Sequence, residues 1–162
     1  LREKGLAKLQ KRMGRVASEG VIASYIHTGS KVGTMVEVNC ETDFVANTKD
    51  FQEFAKDLAM QITASTPLYV KREDIPEDVR EKEKGIYRRQ ALESGKPEKI
   101  VDKIAEGKLE KFYQEVCLVE QPFIKNPDVT VKELLEELIV KMGEKILVNR
   151  FVRFQLGETL EE

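Results

Sequence analysis

The chain reads as an α+β protein: a small antiparallel three-stranded sheet with helices packed on one face, preceded by a basic linker helix. Three observations predict this. Two β-rich runs, residues 21–27 and 32–39, flank the short turn Thr28-Gly29-Ser30, which suits a hairpin. Four segments of helical spacing then follow with no strand between them. The last run, residues 146–156, alternates well enough for a third strand. Strands without regular βαβ alternation argue for an antiparallel sheet with its helices grouped together.

The 162 residues can bury a core without staples, and the charged share of 35 % requires that much of it line solvated helix faces. A formal net charge of −2 argues against a nucleic-acid binder that works by its overall field. Cys40 and Cys117 lie far apart, with no second Cys or His at ligand spacing. They read as reduced core thiols in a reducing, cytoplasmic setting, and no metal or cofactor is expected. No apolar run approaches the length of a membrane span, and no signal peptide is read at the start.

Taken in order, residues 1–17 place Leu6, Leu9, Met13 and Val16 at helical spacing. The charges there are Arg2, Lys4, Lys8, Lys11, Arg12 and Arg15 against Glu3 alone. Such a helix either touches RNA or a ribosome, or is a solvated linker. The lack of stacking aromatics favours the linker. His27, the single histidine, ends the first strand with no nucleophile beside it and reads as an exposed turn residue. Asn47 or Thr48 can cap the next helix, whose apolar face is wide and which Pro67 stops.

Asp74-Ile75-Pro76 opens a third, charge-rich and solvated helix; Gly95 suits its C-terminal cap and Pro97 a new start. The helix after Pro97 contains Gly107, at a cost of about 1 kcal/mol relative to Ala, which marks either close packing or a bend. Phe123 reads as a core anchor under a loop. Thr130 and Glu133 form a capping box, and Gly143 ends the helix they open. In the last strand Arg150 and Arg153 fall on opposite faces, so an edge or interface position is expected for part of it. A sheet of three strands leaves a second face to cover, and self-association is one solution.

The stretch of residues 37–46 is a strand that turns into a helix, with Asp43 and Phe44 at the corner. From the residues alone Phe44 has two readings. It is a staple packed back on the helix start, the usual fate of apolar residues there, or it points outward as a wedge for another protein. No phosphate loop, dinucleotide fingerprint or nucleophile elbow is present. The chain therefore reads as a binding domain, not an enzyme.

At this corner the chain resembles the bacterial elongation factor Ts family, through Thr42-Asp43-Phe44-Val45 within residues 37–46. The resemblance continues through Ser24-Tyr25-Ile26-His27, Ser94-Gly95-Lys96-Pro97, Glu106-Gly107-Lys108-Leu109, Glu120-Gln121-Pro122-Phe123 and Arg150-Phe151-Val152-Arg153-Phe154. It looks like the short form, with one core module that pairs as a homodimer. It implies a guanine-nucleotide exchange factor that binds elongation factor Tu and promotes GDP release, with no covalent chemistry. By the resemblance Phe44 is the wedge near the partner's Mg²⁺ and phosphate site, Asp43 its polar companion, and Thr42 and Val45 hold the corner. His27 matches a family position near the partner surface. The resemblance also implies a small three-helix domain ahead of Leu1, making residues 1–17 a linker and residues 18–162 the core and dimerisation domain. The alternative from another class is an RNA- or ribosome-binding module using the basic N-terminal helix.

Overall fold

A computed structural model describes residues 14–159, together with residues 5 and 7. The basic helix expected over residues 1–17 therefore lies largely outside the described residues. The described residues divide into two compact units: one joins the residues up to Thr66 with those from Pro122 onward, and the other is Pro67–Gln121.

The first unit is built on an antiparallel sheet of order β1-β2-β5, formed by β1 (Glu19–Ile26), β2 (Val32–Cys40) and β5 (Ile146–Gln155). The expected three-stranded α+β architecture is thus present. Val21, Ala23 and Tyr25 of β1 pair with Val38, Val36 and Thr34 of β2 and define the inner face. A one-turn helix α1 (Asp43–Ala46) follows β2 directly, and α2 (Lys49–Ser65) packs on β1 and β2. Phe51, Ala55, Leu58, Ala59 and Ile62 of α2 are buried at helical spacing, as the wide apolar stripe requires. Thr48, not Asn47, caps α2: its hydroxyl accepts from the Phe51 N–H at 3.3 Å.

The sheet resolves the conflict between the two arginines. The register pairs Val38 with Val148 and Glu37 with Arg150, so Asn149 is an extra residue on β5. A bulge of this kind shifts side-chain parity by one. Ile146 and Val148 face inward before it, and the half-buried Phe151 and Arg153 after it. Arg150 turns outward to Glu37, at 2.9 Å. Hydrogen bonds from Asn149, Asn39 and Arg150 hold the Glu37 carboxyl below its usual range. Arg153 donates to the Thr63 carbonyl at 3.3 and 3.2 Å, supplying a partner to the C-terminal turn of α2. β5 is an edge strand, as expected.

A second sheet was not foreseen: β3 (Pro122–Phe123) and β4 (Asn126–Thr130) pair into a short ribbon before α5 (Val131–Met142). The buried amide of Gln61 fixes it. Gln61 donates to the Pro122 carbonyl at 3.1 Å and accepts from the Ile124 N–H at 2.9 Å. Phe123 is buried, as a core anchor should be. Thr130 caps α5 by accepting from the Glu133 N–H at 3.2 Å, and Gly143 ends it at φ 73°. Left-handed backbone at that point is what glycine permits.

The second unit is a helical hairpin, α3 (Glu77–Glu93) and α4 (Glu98–Val116), turned at Gly95. Its core gathers Ile75, Leu109, Tyr113 and Cys117, with Tyr69, Val79, Tyr87 and Phe112 around them. Arg72 lies over the Tyr113 ring at 4.4 Å and pairs with Glu110 and Glu120. Nothing approaches a Cβ built at Gly107 within 4 Å, so close packing is not the reason for that glycine.

Both cysteines are fully buried free thiols. Burial pushes the Cys117 thiol up to about 12, and burial, helped by the Glu144 carboxylate, also raises Cys40. Neither thiol is expected to react with a disulfide reagent at pH 8 except at the rate of unfolding, which a colorimetric thiol assay would read. The unfolded chain releases these protons near the ordinary value of 9.0, whereas the folded chain keeps them. Folding stability should therefore fall as pH rises from about 9 towards 12, and a base titration followed by circular dichroism tests the sign.

Candidate functional site: the strand-to-helix corner

The corner is made by the end of β2, the single turn α1 and the start of α2. Thr42 is the N-cap of α1, in extended backbone, and its hydroxyl accepts from the Val45 N–H at 3.3 Å. The turn then has two faces. Val45 and Ala46 are buried, while Asp43 and Phe44 face out. Phe44 is 81 % exposed, as open as any large apolar residue described here. The staple reading is thereby excluded, because the inward position is filled by Val45.

Several bonds stiffen this turn. The Thr48 hydroxyl donates to the Val45 carbonyl at 2.7 Å, and the Asn47 N–H donates to the Asp43 carbonyl at 3.0 Å. Cys40 lies beneath, its thiol donating to the Thr42 carbonyl at 3.1 Å. Glu144, just after the Gly143 turn, reaches across. Its carboxylate accepts from the backbone N–H groups of Glu41 and Thr42 at 3.2 and 3.1 Å, and from the Thr42 hydroxyl at 2.7 Å. The Glu41 carboxylate returns the contact by accepting from the Lys145 N–H at 3.0 Å. The sequence offered no sign of this, since Glu144 is one acid among many.

The five residues singled out from the sequence do not form one cluster. Thr42, Asp43, Phe44 and Val45 are contiguous at the corner. His27 stands exposed at the opposite end of the β1–β2 hairpin, hydrogen-bonded to the Tyr25 hydroxyl at 3.1 Å. The strand length between them is roughly 25 Å.

An outward aromatic ring on a stiff turn offers an apolar contact to another molecule. The family model for elongation factor TS matches residues 7–158. This chain belongs to the elongation factor Ts family. It is 61 % identical over 160 residues to elongation factor Ts of Carboxydothermus hydrogenoformans, covering 99 % of this chain and 74 % of that one. Against elongation factor Ts of Moorella thermoacetica the identity is 61 % over 158 residues, covering 98 % and 78 %. For that of Heliobacterium modesticaldum it is 59 % over 160 residues, covering 99 % and 74 %. The family comprises nucleotide exchange factors of elongation factor Tu, which act without covalent chemistry in translation elongation. Among the described residues no helix is long and apolar enough to cross a membrane.

Proposed function

We propose that this chain speeds GDP release from elongation factor Tu by inserting Phe44 beside the partner's Mg²⁺ and phosphate site. The observation that carries the reading is the 81 % exposure of a ring on a turn whose neighbouring residues Val45 and Ala46 are buried. Phenylalanine brings a rigid apolar body with few rotors to order on docking. Asp43, exposed next to it, is the polar companion, and Thr42 and Val45 hold the turn. His27 is a second contact, at a different part of the partner because of its distance from the corner.

Exchange is then a linkage effect. A G protein holds GDP through a phosphate-binding loop and a Mg²⁺ that offsets phosphate charge. A factor that prefers the nucleotide-free state lowers GDP affinity, and by reciprocity GDP expels the factor. Co-migration with purified elongation factor Tu tests this: a complex should form without nucleotide and dissociate in excess GDP. A complex indifferent to GDP, or none at all, would refute the reading.

We further propose a homodimer in the cytoplasm, paired through the outer face of the sheet. That face exposes Ile22, Ile26, Met35, Val152 and Phe154, spread over the three strands, with the Glu37–Arg150 pair in the same row as Ile22. A second copy is the occupant that an isologous contact supplies. Phe154→Asp is expected to shift the protein from dimer to monomer in analytical ultracentrifugation, since Phe154 is 72 % exposed and its change leaves the core intact. A dimer that survives this change would place the contact elsewhere.

A further inference from the structure

We infer that Glu144 is a positioning residue for exchange: its carboxylate locks the turn that presents Phe44. The inference rests on the wedge reading above and extends it to a residue outside the corner's own sequence.

The Thr42 hydroxyl is the cap of α1. It has one proton and two lone pairs. Left alone, the hydroxyl rotates, and its value as the cap of a single helical turn is diluted over its rotor states. Glu144 removes that freedom. Its carboxylate accepts a hydrogen bond from the hydroxyl at 2.7 Å, which leaves a lone pair of the hydroxyl oxygen for the Val45 N–H, 3.3 Å away. The same carboxylate accepts two consecutive backbone N–H groups, from Glu41 and Thr42, at the entry to the turn. Hydrogen bonds to an ionised acceptor are shorter and stronger than neutral ones. A turn of four residues has little stability of its own, because helix nucleation is unfavourable. One half-buried carboxylate thus supplies three contacts to Glu41 and Thr42, the two residues that lead into α1, and Phe44 is the next residue but one after Thr42.

Glu144 is itself held. Gly143, at φ 73°, turns the chain out of α5 so that Glu144 faces the corner. The return bond from the Lys145 N–H to the Glu41 carboxylate, 3.0 Å, closes the contact from the other side. The result joins two segments 102 residues apart in sequence. Glu144 does not reach the partner in this scheme. It acts through the direction in which Phe44 points.

The test is a double-mutant cycle on GDP release from elongation factor Tu, using the full chain and fluorescent GDP. Glu144→Ala should slow release at saturating factor by roughly tenfold while changing the half-saturating concentration less, because an unheld ring docks but is misdirected. Glu144→Gln, which keeps one acceptor oxygen and the side-chain volume, should fall between and serves if the alanine variant does not fold. With Phe44→Ala already in place, Glu144→Ala should add nothing, since there is no ring left to aim. Equal rates for Glu144→Ala and the unaltered protein would overturn the inference. So would a loss that multiplies with that of Phe44→Ala, which marks a general structural effect. If Phe44→Ala alone has no effect, the wedge reading fails and takes this inference with it.

Discussion

Phe44→Ala should leave the protein folded and slow GDP release from elongation factor Tu by between about tenfold and a hundredfold. The size follows from what the ring can gain. Burying a phenylalanine side chain against a partner is worth about 1.5–3 kcal/mol relative to leaving it in water. If that gain is made only when the nucleotide site is open, it appears in the rate at about 1.4 kcal/mol per factor of ten. Stability should change little, because a residue 81 % exposed gives up almost no burial when truncated. Stopped-flow release of fluorescent GDP, with a thermal melt of the same sample, separates the two quantities. An unaltered release rate in a folded variant would remove Phe44 from the mechanism.

Phe51→Ala should do the reverse. Phe51 is 0 % exposed, in the first turn of α2, and its backbone N–H is bonded to the Thr48 cap. Removing a buried phenylalanine costs about 3–5 kcal/mol, from lost transfer free energy and from the cavity left behind. That is a large part of the 5–15 kcal/mol that typically holds a domain together. The midpoint of thermal unfolding should fall by roughly 10 °C. GDP exchange per folded molecule should be much less affected than by Phe44→Ala. The two rings are seven positions apart in one chain, yet one is expected to govern exchange and the other stability. A small thermal shift for Phe51→Ala would mean that the site collapses onto its own cavity.

The pairing of these rings shows how far sequence reasoning carried. Helical spacing sets Phe51 on one face with Ala55, Leu58 and Ile62, and that face is the one buried against the sheet. Spacing gave no such answer for Phe44, which lies ahead of the regular helix where no repeating pattern acts. The residues alone favoured the inward staple. The resemblance of residues 37–46 to a family motif reversed that, and the geometry of α1 supplies the physical cause: in a single turn with Val45 and Ala46 inward, the two preceding side chains must face out.

Arg150 and Arg153 teach the same point. On an ideal strand of period two they belong to opposite faces, which left the strand without a clean inside. The extra residue at Asn149 changes the parity. Arg150 then joins the outer face beside Glu37, and Arg153 the inner side, where it meets the Thr63 carbonyl. A bulge is set by the register against β2, a partner strand more than a hundred residues earlier, so nothing local to β5 announces it.

What the sequence determined by itself was local. The cap at Thr130, the placing of another at Asn47 or Thr48, the glycine stop at Gly143, the hairpin turn after His27 and the apolar spacing of the helices all depend on residues within a few positions of one another. The specific motif of residues 37–46 added the family. What only the tertiary structure decided was every feature whose partners are distant in the chain: the ribbon held by Gln61, the Asn149 bulge, the separation of His27 from the corner, and the Glu144 carboxylate beneath the turn that carries Phe44. The physical reason is that a hydrogen bond or a buried face is specified by the position of both partners. A sequence states what each residue can donate, accept or bury, and folding decides which residue is there to receive it.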